Sequence, residues 1–68
     1  MNKKFEVLKI ERDRQTICVT VRGLSTDRKI EYLLAANAFY FSDEELKAEF
    51  EANPKKAAEL YDAQIDLI

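Results

Sequence analysis

The sequence lacks most of the residue types from which active sites are built. Among 68 residues there is no histidine and no tryptophan, and cysteine, glycine and proline occur once each. Histidine proton relays, zinc sites built from several Cys and His ligands, and glycine-rich phosphate loops are therefore excluded. We expect no catalytic residue, no metal and no cofactor, so the sequence predicts a protein that is not an enzyme.

Cys18 is the only side chain with intrinsic nucleophilic reactivity. It has no second cysteine to pair with, so a disulfide within the chain is excluded and a reducing, cytoplasmic setting is favoured. No histidine is present to take its proton, so we interpret it as a small strand residue and not as a nucleophile. No apolar run approaches the roughly 20 residues of a membrane span, and no contact with a membrane is expected.

Charge is distributed unevenly along the chain. Residues 1–29 contain eight Lys or Arg and four Asp or Glu, a net charge of +4, whereas residues 30–68 contain three and nine, a net charge of −6. Such a division indicates either a binding face of one sign or two halves that attract each other. It carries no information about the fold.

The first third of the chain has the alternation of β-strands. Strands are predicted over residues 5–10 and 16–22, and the second is the clearer of the two because apolar and polar or small residues alternate. The apolar members of that alternation are Ile17, Val19 and Val21. Together the two segments predict an antiparallel hairpin with one apolar face.

The connection between these strands spans residues 11–15. A turn at Asp13 and Arg14 would place Ile10 opposite Ile17. The pair Asp-Arg is a weak two-residue turn because neither residue favours positive φ, so a longer loop, a bulge or a slipped register is left open.

Three helices are predicted in the remainder, over residues 27–40, 43–52 and 54–67. The second has the best local signature, because Ser42 followed by Glu45 forms a capping box. Asn53-Pro54 separates the second helix from the third, with proline preorganised for a first helical position. The fold class is therefore α+β, a ββααα domain that comprises residues 1–68.

The predicted third helix has a wide apolar stripe. A two-stranded sheet cannot easily cover that stripe, so its last residues are either core or a contact surface for a second protein, with a homodimer as the simplest case. The interface candidates on this helix are Ile65, Leu67 and Ile68. A protein-interaction or regulatory module is the function that the sequence favours.

An acidic surface on the second helix is a further candidate for protein contact. Glu44, Glu49 and Glu51 would present negative charge to a basic partner. Small accessory or inhibitory proteins of phages and mobile elements are comparable in size and charge alone.

The alternative function is nucleic-acid binding by the basic hairpin. Its candidate residues are Lys9, Arg12, Arg14 and Arg22, with aromatic stacking from Phe5. A purely structural interpretation of the same charges is a solvated strand edge that is protected against association with other strands. A pI near 5.1 argues against the nucleic-acid function.

Lys55 and Lys56 are unusual at the start of a helix, where cations oppose the helix dipole. Glu51 and Glu59 lie four residues on either side of Lys55 and explain it as helix pairing. A weaker hypothesis is an anion site formed by both lysines and the helix N-terminus.

Overall fold

The computed structural model describes residues 4–67, with only the backbone of Leu67. Four strands form one antiparallel sheet in the order β1-β2-β3-β4, and the helical segments lie in the chain between β3 and β4. The elements are β1 (Phe5–Arg12), β2 (Ile17–Gly23), β3 (Lys29–Leu34), a 3₁₀ helix (Ala36–Tyr40), α1 (Asp43–Ala52), α2 (Pro54–Leu60) and β4 (Gln64–Leu67). The fold is α+β, but the predicted ββααα order is wrong, because the order is β-β-β-α-α-β.

The predicted helix over residues 27–40 is instead a strand followed by a 3₁₀ helix. Its apolar residues fit both periods, but Ile30, Tyr32 and Leu34 alternate toward the core and pair with β2. Asp27, the expected first-turn residue, has φ of 56° and belongs to the loop between β2 and β3. A third strand prevails because an isolated two-stranded hairpin is marginally stable, whereas three strands with an apolar face support one another.

The predicted helix over residues 54–67 ends at Leu60, and its last part is β4. Asp62, at φ of 50°, occupies the left-handed position that usually holds glycine. The amide of Ala63 donates to the carbonyl of Ala58 at 2.8 Å, and that of Asp62 donates to Glu59 at 3.3 Å. These two bonds form a Schellman motif, which terminates the helix without a glycine to signal it.

The β1–β2 hairpin has a register different from the predicted one. Ile10 lies opposite Val19, and Ile17 lies opposite Arg12, so the loop is longer than a turn at Asp13 and Arg14. The register shifts between Val7 and Lys9, which makes Leu8 the extra residue of a β-bulge. Because of the bulge, Phe5, Val7 and Ile10 all pack against the core while Leu8 is exposed.

The predicted start of α1 is confirmed. The Ser42 hydroxyl accepts from the amide of Glu45, and the Glu45 carboxylate accepts from the amide of Ser42. Asn53 ends α1 and also caps α2, where its side chain accepts from the amide of Lys56, and Pro54 is at the start of α2. One Asn-Pro pair therefore sets the boundary between the two helices.

The core lies between one face of the sheet and the helical segments. An aromatic cluster fills its centre, with ring centroids of Tyr32 and Phe50 5.1 Å apart and those of Phe50 and Tyr61 6.1 Å apart. Phe41 meets Tyr61 edge-on at 5.3 Å. The opposite face of the sheet carries no helix of the described chain.

Candidate protein-interaction surface

Several carboxylates of the acidic helix α1 already form contacts within the protein, so fewer are available to a partner than the sequence indicates. Asp43 forms an ion pair with Arg12 at 2.6 Å, and Glu45 belongs to the capping box. Glu51 accepts from the backbone amide of Val7 at 3.1 Å. Of the predicted acidic surface, Glu44 and Glu49 are exposed and have no such contact with another residue of the described region. Two separated carboxylates are a weak docking surface.

Glu51 connects α1 to the outer edge of β1. Its carboxylate accepts from an amide that points away from β2, so it satisfies a backbone group that would otherwise face solvent or another strand. Arg12 makes a second connection, because its guanidinium donates both to Asp43 and to the carbonyl of Phe41 at 2.7 Å. Together with the bulge, these contacts protect the β1 edge against strand addition.

We expect Glu51→Ala to lower the free energy of unfolding by about 1.5–3 kcal/mol, the range for hydrogen bonds to charged groups. Urea denaturation measures the change. Glu49→Ala, an acidic-to-alanine change on the same helix, should stay within about 0.5 kcal/mol of wild type. Equal effects of the two substitutions would show that the Glu51 contact with β1 contributes nothing to stability.

The predicted basic surface is divided among different parts of the molecule. Lys9 pairs with Glu11 at 2.9 Å, and Arg22 pairs with Asp27 at 2.9 Å and Glu6 at 3.6 Å. The pKa values of Lys9 and Arg22 are raised, in each case first by a hydrogen bond to the paired carboxylate. Arg12 points toward α1, on the other side of the sheet. Only Arg14, in the hairpin loop, has no ion pair among the described residues.

The open face of the sheet has charges of both signs. The side chains that the registers place on it are Glu6, Lys9, Glu11, Cys18, Thr20, Arg22, Lys29, Glu31, Leu33, Gln64 and Asp66. Four acidic residues against three basic ones do not make the positive field that binds phosphates. Cys18 lies here half-buried, and burial, followed by the neighbouring carboxylate of Glu31, raises its pKa to about 11.

The lysine pair at the start of α2 is exposed and forms no ion pair within residues 4–66. The predicted pairing of Lys55 with Glu51 and Glu59 is therefore not what the structure displays. α2 has only seven residues, and the amide of Lys56 is already bonded to Asn53. An anion site at this helix start has no support from the geometry.

The outer edge of β4 is the second edge of the sheet, and hydrogen-bond alternation identifies its free groups. The amide of Gly23 donates to Arg28, so the odd-numbered residues of β2 bond toward β3. Glu31 and Leu33 then bond toward β4, whose paired residues are Asp66 and Gln64. The remaining backbone groups of β4, those of Ile65 and Leu67, therefore point outward. We call this row, with the carbonyl of Ala63, the β4 edge.

Independent hydrogen bonds agree with this alternation. The amide of Ala63 points outward and donates to α2, not to β3. The amide of Ala35, the residue that follows β3, continues the alternation of Glu31 and Leu33 and donates to the carbonyl of Tyr61 at 3.0 Å. On the far side of the sheet, the outward amide of Val7 is the one that Glu51 binds. Unlike the β1 edge, the β4 edge has no side chain bonded to its Ile65 amide within the described chain.

Ile65 also has an exposed side chain, with 60% of its surface accessible. It pairs with Tyr32 and so points to the helix-covered side of the sheet, beside α2. A groove of about 640 Å³ adjoins it and is lined by Tyr32, Lys55, Ala58, Glu59, Asp62, Ala63 and Ile65. An apolar side chain, unpaired backbone groups and a groove thus occur together at one edge of the sheet.

A second apolar surface lies at the 3₁₀ helix. Tyr40 is 89% exposed and Phe39 is 38% exposed, and a shallow cavity beside them also includes Arg14. Tyrosine and arginine are common at the energetic centres of protein interfaces. We call these three residues the aromatic patch.

The predicted interface residues are only partly within the described region. Ile65, which the sequence left as either core or contact surface, is exposed and lies on a strand and not on a helix. Ile68 and the side chain of Leu67 lie outside the described residues. Sequence analysis missed the β4 edge because a strand edge exists only once residues 64–67 are recognised as a strand. The alternation of Ile65 and Leu67 with polar residues was the available signal.

Within residues 4–67, no group of three or more Cys, Asp or Glu side chains is placed to hold a metal ion. The helices of this part of the chain are also too short and polar to cross a membrane. Comparison of the chain with protein-family models, with curated proteins and with solved structures gave no match.

Proposed function

We propose that this protein is a non-enzymatic protein-interaction module that binds by adding a partner's strand to the β4 edge. The observation that supports this proposal is the outward, unpaired backbone of Ile65 beside its exposed side chain. Strand addition uses main-chain hydrogen bonds for affinity and pockets for alternate side chains for specificity. The β4 edge and its adjoining groove offer both.

The contrast between the two edges of the sheet strengthens this argument. Exposed strand edges invite association, and proteins usually block them with bulges, charges or covering elements. The β1 edge has a bulge at Leu8 and a hydrogen bond from Val7 to Glu51. The β4 edge has neither device among the described residues, so it is the edge that is suited to a partner.

Nucleic-acid binding is the alternative, and the charge geometry argues against it. Lys9, Arg12 and Arg22 are each paired with a carboxylate, and they do not share one side of the sheet. Phosphate binding would have to break these pairs before it could gain from counterion release.

A photo-crosslinking amino acid in place of Gln64 tests the proposal in extract from cells that produce the protein. The Gln64 side chain lies on the open face, so the probe leaves the outward backbone groups unchanged. We expect one crosslinked protein product, resistant to nuclease, that disappears when Ile65→Pro is added. Proline removes the outward amide of Ile65, which the fold itself does not use, and is tolerated at such edge positions.

Leu60→Ser is the matched control, because Leu60 is 54% exposed but lies on α2. It should retain the crosslink. Loss of the crosslink in Tyr40→Ala but not in Ile65→Pro would move the contact to the aromatic patch and contradict strand addition. A nuclease-sensitive product would favour the basic hairpin instead.

A further inference from the structure

We propose that the strand added to the β4 edge is the β4 of a second copy of this chain, so that two four-stranded sheets join across a twofold axis at Ile65. This inference rests on the proposed function and specifies the partner. It follows from the direction of the backbone groups and from the side chains on each face of β4.

The hydrogen bonds of the twofold arrangement follow from the alternation within the sheet. Ile65 has both its amide and its carbonyl directed outward, so two copies facing each other in antiparallel orientation can exchange two bonds at this residue. Two residues away, the amide of Leu67 meets the carbonyl of Ala63 in the other copy, and symmetry repeats this bond. Four intermolecular bonds result, and none of them displaces a bond within either chain.

The neighbouring twofold registers are less favourable. An axis at Asp66 would place the two Asp66 carboxylates directly opposite each other, and like charges in that relation are destabilising. An axis at Gln64 would pair Ile65 with Ala63, whose amide already donates to Ala58 at 2.8 Å, so only the Ile65 amide could donate in each of the two symmetric pairs. Only the axis at Ile65 combines four intermolecular bonds with no pair of carboxylates facing each other.

Side chains complement each other in the register with its axis at Ile65. On the open face, Gln64 lies opposite Asp66 of the second copy, so that an amide donor meets a carboxylate acceptor, twice by symmetry. On the helix-covered side, the two Ile65 side chains form an apolar cross-strand pair. Each would also cover part of the groove beside α2 of the other copy, where Ala58 and Ala63 lie.

Analytical ultracentrifugation from micromolar to millimolar concentration tests this inference with the intact chain. We expect a monomer–dimer equilibrium, with concentration-dependent protection of the Ile65 amide in hydrogen-exchange NMR. The Val7 amide, which Glu51 already binds, should show no such dependence on concentration. Ile65→Pro should be monomeric, and Ile65→Lys, which keeps the amide but places two positive charges at the axis, should weaken the dimer as well.

A charge exchange tests the register itself. Gln64→Glu places a carboxylate opposite Asp66 of the other copy, and symmetry repeats this repulsion once. The substitution should therefore raise the dimer dissociation constant roughly two- to thirtyfold. Adding Asp66→Gln restores one carboxylate and one amide in each pair and should recover most of the wild-type affinity. Leu60→Ser should have no effect on dimerisation.

A wild-type protein that sediments as a monomer at about 1 mM would overturn the inference that the partner is a second copy. A dimer that is indifferent to Ile65→Pro and Ile65→Lys, or one that the Gln64→Glu and Asp66→Gln pair does not rescue, would do the same. The proposed function fails separately. If the protein is monomeric but an Ile65-dependent crosslink to a different protein persists, strand addition stands and only the identity of the partner changes.

Discussion

Phe50→Ala is expected to leave the protein largely unfolded. Phe50 is fully buried and contacts both Tyr32 and Tyr61, so its truncation removes the centre of the aromatic cluster. Substitutions of buried phenylalanine by alanine cost about 3–5 kcal/mol. Domains with 68 residues have roughly 3–10 kcal/mol of stability in total, so this loss consumes much or all of it.

Circular dichroism and urea denaturation at low micromolar concentration measure this effect without a contribution from association. The matched control is Tyr40→Ala, which removes an aromatic ring that is 89% exposed and should change stability by no more than about 0.5 kcal/mol. A loss below about 1 kcal/mol for Phe50→Ala would mean that the cluster does not organise the core.

The second large effect is expected in the reactivity of Cys18. Its pKa is about 11 in the folded protein, compared with the ordinary value of 9.0, because the thiol is desolvated by burial and faces the carboxylate of Glu31. At pH 8 the reactive thiolate should therefore be about a hundredfold less abundant than in the unfolded chain. Alkylation by iodoacetamide should be correspondingly slow and should rise only toward pH 11.

Glu31→Gln should shift this alkylation profile to lower pH, whereas Glu59→Gln, an exposed change on α2, should not. An alkylation midpoint at pH 9 in the folded wild type would contradict the environment that the structure gives Cys18.

The same pKa shift predicts a loss of stability in alkali. The folded state holds the thiol proton more tightly than the unfolded state, so its stabilising effect is fully present below pH 9.0 and is lost as the pH rises toward 11. The pKa values of Tyr32 and Tyr61 are also raised by burial, so these residues contribute in the same direction at higher pH. Cys18→Ala should flatten the part of the decline between pH 9.0 and about 11.

Elements with local signals were predictable from the sequence. The alternation in β2, the capping box at Ser42 and the Asn53-Pro54 boundary are each encoded by residues adjacent in the chain, and the structure has all three. Their geometry depends on hydrogen bonds within a few residues, which is why a single sequence suffices to locate them.

The third and fourth strands were not predictable because their patterns are ambiguous. Ile30, Leu33 and Leu34 have helical spacing, yet Leu33 lies on the open face and only its neighbours in the strand alternation reach the core. β4 is preceded by a helix that ends at Leu60, and the left-handed position after it, where a glycine would have given the signal, is occupied by Asp62. In both segments, pairing with distant strands decided between two locally acceptable structures.

Candidate contact residues had a mixed outcome for the same reason. The apolar stripe of the predicted third helix left Ile65 as either core or contact surface, and only its pairing with Tyr32 shows which backbone groups face outward. Glu51 looked like part of an acidic surface, and its contact with Val7 depends on residues 44 positions apart in the chain. Contacts over such distances are set by the fold.

The bulge in β1 also has a consequence for how the gene can change in length. Loss of the codon for Leu8 would leave every other pair of β1 and β2 in place, because Leu8 is the one residue without an opposing partner in the register. Loss of the codon for Ile10 would instead bring Lys9 opposite Val19, into the core. Single-codon deletions in natural variants of this chain should therefore be tolerated beside the bulge and eliminated only a few codons away.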